Sequence, residues 1–481
     1  MGLYSTTVAD YFKIDSSLFE KKGIVNPTLK QDAPLFIDPC LLKNSKFKEF
    51  NTTAVATYRL FFENIMQDII NAQELDGISK SLAYNKIIAK FLFKEQKGLC
   101  LGYSRSNNKG RGIGREKATQ IFKASERLIS LGSKNPNLFS LLCVLEDNIG
   151  PDLISDMTAY IIRHSLYNFT QSISKELQIP TVTYKIDDMV YKLPTHPIER
   201  VPLLLPPYDI ISTLPEISDI DSFFNGFCSW NCSNDAVKMR VNDYISNIFR
   251  EARELKLNTT EVKKELRGYI YTTQEAVDTI STYISNVSGT PYSKEKDELG
   301  INISTRIRPY VKEEDITISE NDSEKAIDLL MEHFSKKISN DTEIKRDLLY
   351  NIDNTPKSET AWQSIFNVYA DMFLDTNNLD ITAEAETGRG PVDFKISKGS
   401  KERYLVEMKL SSNKKYKQGL IKQLEAYKKA TNNVKKAYYL YVDFEDSDER
   451  RKILIDLKNN SNTNTEIIFI DGRLLPSASK L

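Results

Sequence analysis

The N-terminal part of the chain has a hydrophobic pattern typical of amphipathic helices. Up to about Lys175, apolar residues recur at three- and four-residue intervals, as in VATYRLFFENIMQDIINAQEL and ATQIFKASERLISLG. Between Ile179 and Leu214 the pattern changes to period-two alternation with prolines, which predicts a small hairpin and irregular connections. Helical spacing then returns in VNDYISNIFREARELK and AVDTISTYISNVS. The pattern therefore predicts a mainly helical module with a small β-hairpin region.

The pattern changes again after the polar stretch NIDNTPKSE. It predicts, in order, a helix (AWQSIFNVYADMFL), three strands (ITAEAE, PVDFKIS and YLVEMKL), a helix (KQGLIKQLEAYKKAT), a strand (AYYLYVDF), a helix (ERRKILIDLKN) and a strand (EIIFID). Helices that alternate with strands over about 125 residues are typical of one compact α/β domain with a mixed sheet.

These patterns predict a multidomain chain, because 481 residues are too many for one ordinary hydrophobic core. The polar stretch TRIRPYVKEEDITISENDSEKA, from Thr305, is a plausible domain boundary. We expect a large, mainly α N-terminal module over residues 1–315, a helical connector over 316–354 and an α/β domain with a mixed central sheet over 355–481.

Composition narrows the class of protein. Lys and Arg total 65 against 66 Asp and Glu, so the net charge of −1 excludes a uniformly basic binder, and any surface for nucleic acid must be local. Five scattered cysteines predict reduced thiols and a cytoplasmic protein, and the pair in CSWNC (Cys228 and Cys232) lacks the second pair that a zinc site needs. No apolar run approaches the ~18 residues that span a bilayer, so we expect no membrane association.

Charged residues interrupt the two strands PVDFKIS and YLVEMKL, and Asp393, Glu407 and Lys409 are three of them. Alternation puts Asp393 on the face opposite Val392 and Phe394, and it puts Glu407 and Lys409 on one face of the next strand. The short KGSKER segment lets the strands pair, so these three side chains are expected to converge. Two neighbouring carboxylates repel each other unless a cation lies between them, and a hard divalent cation such as Mg²⁺ meets that need. Lys409, about 7 Å from Glu407 along the strand, could then orient a water or stabilise phosphate charge.

Asp393, thirteen intervening residues and then Glu407-Met408-Lys409 resemble the core of the PD-(D/E)XK nuclease superfamily, whose domain is restriction-endonuclease-like. The match includes the GRGPVDF segment, and Gln423 and Tyr427 in QLEAY are similar to the QxxxY element of RecB-like branches. Glu359 in SETAWQ is similar to an additional acid that many members carry. The resemblance covers about a quarter of the chain, from Thr355 to Leu481. It implies a metal-dependent phosphodiester hydrolase in which the aspartate and glutamate bind Mg²⁺, or Mn²⁺ as a substitute, and the lysine assists the water.

Other interpretations of these residues remain open. Asp393 and Glu407 could form an exposed sheet face with salt bridges to Lys395 and Lys409. Glu359 could be a capping or dipole acid in the first helical turn. Gln423 and Tyr427 could simply pack against neighbouring side chains.

Basic residues outnumber acidic ones between Lys395 and Lys436, which could provide a local positive field around a phosphodiester site. They are Lys398, Lys401, Arg403, Lys414, Lys415, Lys417, Lys422, Lys428, Lys429, Lys435 and Lys436. A solvated helix face is expected to account for part of this set. The interleaved tyrosines are more typical of core positions than of base-stacking platforms.

Two segments of the N-terminal module stand apart. SNNKGRGIGREKA, from Ser106, is a glycine- and arginine-rich loop that opens into a helix, and it could cradle a phosphate, although a mobile loop is the simpler interpretation. EDNIGPDLISDM, from Glu146, puts Asp152 and Asp156 one helical turn apart. They could form a second acidic site, but capping by Asp152 and surface charge explain them more simply.

The sequence thus predicts a cytoplasmic, Mg²⁺-dependent nuclease that cleaves DNA. Fusion of such a domain to a large unrelated module resembles restriction-like and antiviral defence nucleases at the level of architecture only. The N-terminal module is expected to recognise something, to form a homo-oligomer or to bind a partner protein. The alternatives are a catalytically inactive nuclease fold that binds DNA or a partner, and a nuclease that cleaves RNA.

Overall fold

The structure is a computed structural model of the whole chain. It describes residues 6–29, 32–102, 113–132, 139, 142, 145–147, 149–213, 247–248, 259–286, 289–293, 297, 301, 306–307, 310–311, 322–375, 377–386, 391–399, 401–461 and 464–474.

The N-terminal module is mainly helical, as predicted. Its described helices are α1 (Val8–Phe12), α2 (Ser16–Lys22), α3 (Val55–Gln73), α4 (Gly77–Lys90), α5 (Arg115–Ser130), α6 (Pro151–Ile161), α7 (Arg163–Glu176), α8 (Thr259–Ile270) and α9 (Gln274–Asn286). A 3₁₀ helix spans Pro39–Asn44 and a π-helical segment, Glu49–Ala54, leads into α3. One apolar cluster, from Val8 to Tyr292, joins these elements into a single core.

Two small antiparallel pairs complete this module. The two-residue strands β1 (Phe36–Ile37) and β4 (Ile211–Ser212) pair with each other, and β2 (Val182–Ile186) pairs with β3 (Met189–Leu193). Asp187 and Asp188 join β2 to β3 with φ angles of 49° and 64°. A two-residue hairpin turn of type I′ requires positive φ at both positions, and aspartate tolerates that conformation better than most side chains. The predicted β-hairpin region is therefore confirmed.

The C-terminal part contains a sheet of five strands in the order β5-β6-β7-β8-β9. The strands are β5 (Asp380–Glu386), β6 (Pro391–Lys398), β7 (Glu402–Leu410), β8 (Val434–Asp443) and β9 (Thr465–Asp471). The first three are antiparallel, whereas β7, β8 and β9 run parallel, so the sheet is mixed as predicted.

Helices cover both faces of this sheet. The described helices are α10 (Ser323–Asn340), α11 (Glu359–Asp375), α12, which runs through Tyr416–Gln418, the π-helical Gly419–Gln423 and Leu424–Ala430, and α13 (Asp448–Ser461); the short turns Thr342–Ile344 and Lys345–Leu349 follow α10. The side chains of α10 and α11 share one apolar cluster with the sheet, and α12 and α13 share another. Parallel β7, β8 and β9 require such crossover helices, which explains the alternating sequence pattern.

Helix α10 lies in the segment that the sequence assigned to a connector. It packs on β9 and α11, and its buried Leu330, Met331 and Phe334 belong to the same apolar cluster as the strand residues Ile396 and Met408. The amphipathic pattern of α10 identified its apolar face but not the surface that this face covers.

No described helix has the length and apolarity needed to cross a bilayer. Cys40 and Cys100 are buried, and neither forms a disulfide with a described residue. The other cysteines (Cys143, Cys228 and Cys232), the start of the glycine-rich loop (106–112) and the glycines of GRGPVDF (388–390) lie outside the described residues.

Candidate active site

Strands β6 and β7 bring Asp393 and Glu407 together. Their antiparallel register pairs Phe394 with Val406, and its continuation puts Asp393 opposite Glu407. Directly opposite residues of an antiparallel pair have side chains on the same face. The Met408 N–H donates to Asp393 Oδ2 at 2.7 Å, so this carboxylate replaces a backbone acceptor where the ladder ends.

The ammonium of Lys409 lies among three carboxylates. Its Nζ is 2.9 Å from Glu407 Oε1, 3.1 Å from Glu359 Oε1 and 3.6 Å from Asp393 Oδ2. It also donates to the Met408 carbonyl oxygen at 2.9 Å. We call Glu359, Asp393, Glu407 and Lys409 the carboxylate–lysine cluster. Because it contains three acids and one base, it carries excess negative charge when all four groups are ionised.

Burial and mutual repulsion perturb the titration of this cluster. Glu407 is 2% exposed and Lys409 is 7% exposed. Burial, and then the charge of Asp393, raise the pKa of Glu407 to about 8. Burial also raises the pKa of Asp393, although Lys409 and the Met408 N–H oppose that shift. Burial alone would lower the pKa of Lys409, but the three carboxylates outweigh it and raise the pKa. The alternative of an exposed, salt-bridged sheet face is therefore wrong for Glu407.

Glu359 is the first residue of α11 and takes part in the cluster. Besides Lys409, its carboxylate accepts from the Leu410 N–H at 3.3 Å and from Asn413 Nδ2 at 3.0 Å, both through Oε2. The carboxylate thus fixes the lysine and the chain that follows β7. The additional acid suggested by the sequence lies beside the other two, and its role as a metal ligand stays a prediction.

Gln423 and Tyr427 lie on α12, which crosses from β7 to β8. Tyr427 is buried in an apolar layer with Val392, Leu405 and Leu424. Gln423 is partly buried, and its Oε1 has no hydrogen-bond partner among the described residues. Packing accounts for the burial of Tyr427, and the catalytic roles that the resemblance implies for both residues stay predictions.

Sequence reasoning missed Asn413, Gly419 and Tyr439. A Cβ at Gly419 would lie 3.2 Å from both Lys409 Cγ and the Tyr439 hydroxyl, so glycine lets α12 approach the lysine stem. Tyr439 is paired with Glu407 in the parallel register of β7 and β8. Burial, followed by the charges of Glu407 and Glu359, raises the pKa of Tyr439. Only the residue-by-residue pairing of β7 with β8 could have identified this tyrosine as a neighbour of Glu407.

The donor set of this site fits a hard cation. Glu407 Oε2 is buried and has no hydrogen-bond partner among the described residues, and carboxylate oxygens are the ligands that Mg²⁺ prefers. In the part of the chain that the structure describes, however, no group of three or more His, Cys, Asp or Glu side chains is already arranged around a metal position. The ammonium of Lys409 lies between the carboxylates instead. Asp393 and Glu407 therefore fit as ligands once this lysine shifts.

Some of the lysines between Lys395 and Lys436 form ion pairs, whereas others form none with a described residue. Lys436 contacts Asp328 at 2.7 Å and Glu466 at 2.5 Å, and Lys428 contacts Glu425 at 3.1 Å. Lys414, Lys415 and Lys417, by contrast, are exposed just after β7 and form no ion pair with a described residue. Five of the six interleaved tyrosines are buried, as expected for core positions (Tyr404, Tyr427, Tyr438, Tyr439 and Tyr441), whereas Tyr416 is partly buried.

A second group of acids lies in the N-terminal module. Burial raises the pKa of Asp32 to about 8, and the charges of Glu95, Asp152, Asp156 and Glu199 add to this shift. Burial, and then Asp152 and Glu95, raise the pKa of Asp156 to about 7. We call these five residues the front acidic cluster. The prediction of capping by Asp152 is wrong, because the N-cap of α6 is Gly150 and Asp152 lies within the first turn of the helix.

The front acidic cluster should make stability fall as the pH rises. Because the pKa of Asp32 is about 8 in the folded state against 3.8 in the unfolded state, its stabilising proton is fully present below about pH 4 and is lost as the pH approaches 8. Asp32→Asn should therefore raise the midpoint of thermal unfolding at pH 8.5 by several degrees, at roughly 2–4 °C per kcal/mol.

Calorimetry at pH 5.5, 7.0 and 8.5 measures this effect. The matched control is Asp188→Asn, the same change at an exposed hairpin position with positive φ, and it should leave the unfolding midpoint unchanged at each pH. An Asp32→Asn protein that unfolds at the wild-type temperature at pH 8.5 would show that the carboxylates do not repel each other.

Comparison with known proteins gives two partial matches. A family model described as a domain of unknown function (DUF8370) matches residues 13–219, and a second one (DUF8371) matches residues 323–446. The second match begins at the first residue of α10 and includes the carboxylate–lysine cluster together with Gln423 and Tyr427. Neither a curated protein nor a solved structure matches the chain.

Proposed function

We propose that the C-terminal part of this chain is a metal-dependent phosphodiesterase that cleaves nucleic acid, with DNA as its main substrate. The observation that carries the proposal is the carboxylate–lysine cluster. It combines two opposed carboxylates, of which Glu407 is buried and Asp393 is partly buried, a Glu407 oxygen without a partner among the described residues and a lysine within 2.9–3.6 Å of three acids. Perturbed titratable groups held together in this way are typical of catalytic sites.

Asp393 and Glu407 would hold the divalent cation, with Mg²⁺ as the expected metal and Mn²⁺ as a substitute. When bound, the cation would lower the pKa of a coordinated water molecule, and it would compensate the negative charge that develops on the phosphate. Asp393 is pre-oriented for this role by the Met408 N–H. Glu407 provides the second carboxylate, and its Oε2 is available because no described residue donates to it.

Lys409 would stabilise charge on the substrate. Its ammonium now compensates three carboxylates, and a cation at Asp393 and Glu407 would release it to donate to a phosphate oxygen or to the attacking water. Glu359 holds the same Nζ from α11 at 3.1 Å, so the lysine stays near the site when its other partners bind metal. The high pKa keeps Lys409 charged, which makes it an electrostatic group and excludes a role as general base near neutral pH.

Metal binding has to displace a proton from Glu407. With a pKa of about 8, this carboxyl is mostly protonated at pH 6.5 and mostly ionised at pH 8.5 in the metal-free protein. Affinity for a cation falls when its ligand is protonated. Cleavage at low metal concentration should therefore increase with pH until about pH 8.

The surface beside the site is suited to a polyanion. Lys414, Lys415 and Lys417 are exposed and follow Asn413, whose side chain contacts the cluster through Glu359. Exposed cationic side chains such as these attract a phosphate backbone independently of its sequence. The N-terminal module would then supply recognition or control.

The test is a cleavage assay on the purified full-length chain. Supercoiled plasmid, linear duplex DNA, single-stranded DNA and RNA are each incubated with Mg²⁺, Mn²⁺ or EDTA at pH 6.5 and 8.5. We expect metal-dependent cutting of DNA that EDTA abolishes, with a higher rate at pH 8.5 when the metal is below saturation.

Other results would replace the proposal. DNA binding without cutting in either metal would indicate a nuclease fold that only binds. Cutting confined to RNA would change the substrate class. Cutting that persists in EDTA would remove the roles of Asp393 and Glu407 as metal ligands.

A further inference from the structure

The N-terminal module contains a wide groove between α5 and α8. It has a volume of about 1090 Å³ and is lined on the α5 side by Arg115, Thr119, Gln120, Lys123 and Arg127 and on the other side by Lys264, Arg267 and Tyr271. Ligand pockets for small molecules are typically ~300–1,000 Å³, so this groove is large for a single metabolite. We call it the α5–α8 groove.

The α5–α8 groove carries a strong local positive charge. Five of its lining residues are cationic (Arg115, Lys123, Arg127, Lys264 and Arg267) and two are acidic (Glu116 and Glu146). Glu146 is 8% exposed and accepts from Tyr271 Oη at 2.6 Å and from Gln120 Nε2 at 2.9 Å, so it faces the protein rather than a ligand. In a chain with a net charge of −1, this excess of positive charge is a feature of the groove itself.

Some cations of the groove are held by protein contacts, whereas others form no ion pair or hydrogen bond with a described residue. Arg267 is held by Asp147 and by the Leu145 carbonyl oxygen, each at 2.8 Å, and the guanidinium of Arg127 lies 5.1 Å from the ring centre of Tyr271. Lys123 and Lys264 are exposed and form no ion pair or hydrogen bond with any described residue. Among the described residues, the groove therefore offers two ammonium groups without an ionic partner beside a guanidinium that is held in place.

The spacing of the cations favours an extended polyanion. Arg115, Lys123 and Arg127 lie along α5 over about 18 Å at 1.5 Å per residue, and Lys264 faces them from α8. A free phosphate or a mononucleotide would leave most of these charges uncompensated, whereas successive phosphates of a nucleic-acid strand would compensate them along the whole groove. The N-cap of α5 is Gly114, which has no side chain to satisfy the first N–H groups at the same end of the groove.

We propose that the α5–α8 groove binds the phosphate backbone of a nucleic acid, at a site separate from the carboxylate–lysine cluster. The choice of nucleic acid as the occupant rests on the proposed function, whereas the choice of an extended phosphate polymer rests on the groove. Because its polar groups are mainly cations, we expect little dependence on base sequence.

The test compares Lys123→Glu/Lys264→Glu with Lys21→Glu/Lys48→Glu, which makes the same charge change at two exposed lysines of the N-terminal module outside the groove. Binding of fluorescent 20-nucleotide duplex and single-stranded DNA is titrated in EDTA from 50 to 300 mM salt, on full-length proteins that also carry Glu407→Gln. EDTA and this substitution make the measurement independent of cleavage.

We expect the groove variant to bind at least tenfold more weakly at 100 mM salt. The slope of log K against log salt should fall by about 1.4–1.8, because each lost phosphate contact contributes ~0.7 on single strands and ~0.9 on duplexes. The control variant should keep the wild-type slope. Equal slopes in the two variants would overturn the inference, and so would tripolyphosphate binding as tight as that of the oligonucleotides.

The binding assay and the cleavage assay test the groove and the proposed function independently of each other. If the chain cuts DNA and the groove variant binds normally, only the groove inference fails. If the groove variant loses DNA binding but no metal supports cutting, only the proposed function fails.

Discussion

Glu407→Gln should abolish cleavage and leave the fold intact. The substitution keeps the size of a buried side chain but removes a carboxylate that would bind the cation, so the rate should fall about 1,000-fold, which corresponds to ~4 kcal/mol of transition-state stabilisation. Removal of a carboxyl whose pKa is raised to about 8 should also stabilise the metal-free protein at pH 8.5. Cleavage rates at saturating Mg²⁺, with calorimetry on the same samples, measure both effects. Asp393→Asn should lose a similar amount of activity.

The matched control is Glu402→Gln, which makes the same chemical change on the same strand. Glu402 pairs with Lys398 at the other end of β7, about 17 Å from Glu407 at the usual rise per residue. Its cleavage rate should stay within a factor of two of the wild type. If Glu407→Gln cut within tenfold of the wild-type rate, Glu407 would not be a ligand of the catalytic metal.

Local periodicity predicted the C-terminal architecture and much of its site. The eight elements after NIDNTPKSE occur in the predicted order, because each strand or helix is long enough to show its own period. Alternation also predicted the convergence of Asp393, Glu407 and Lys409, because these residues are neighbours on two strands joined by a short turn. Glu359 could be suggested only by resemblance, since it reaches the cluster from the start of a separate helix.

Contacts between distant segments could not be predicted. The α5–α8 groove joins residues more than 130 positions apart, such as Lys123 and Lys264, and the front acidic cluster joins Asp32 in a loop to Asp156 on a helix. Periodicity identifies which face of a helix is apolar but not which helix lies beside it. For the same reason, the sequence assigned α10 to a connector although it packs on β9.

Lys409→Met should both inactivate and destabilise the protein. The ammonium compensates Glu359, Asp393 and Glu407, and its removal leaves three carboxylates close together with little access to water. Loss of one partner from a buried ionic group typically costs ~3–5 kcal/mol. The loss should be larger at pH 8.5 than at pH 6.5, because protonation of Glu407 below a pKa of about 8 relieves part of the repulsion. Calorimetry at both pH values, with and without 10 mM Mg²⁺, measures it.

A divalent cation should replace part of what the lysine provided. Mg²⁺ should therefore raise the unfolding temperature of Lys409→Met by more than it raises that of the wild type, while cleavage stays at least about 100-fold reduced, because the carboxylate–lysine cluster then lacks the ammonium that would stabilise phosphate charge. Lys395→Met is the control, since Lys395 is a partly buried lysine on the neighbouring strand that forms no ion pair with a described residue. It should show neither the loss of stability nor the enhanced response to Mg²⁺. If Mg²⁺ stabilised wild type and Lys409→Met equally, the cation would not bind between the carboxylates, and the metal site would have to lie elsewhere.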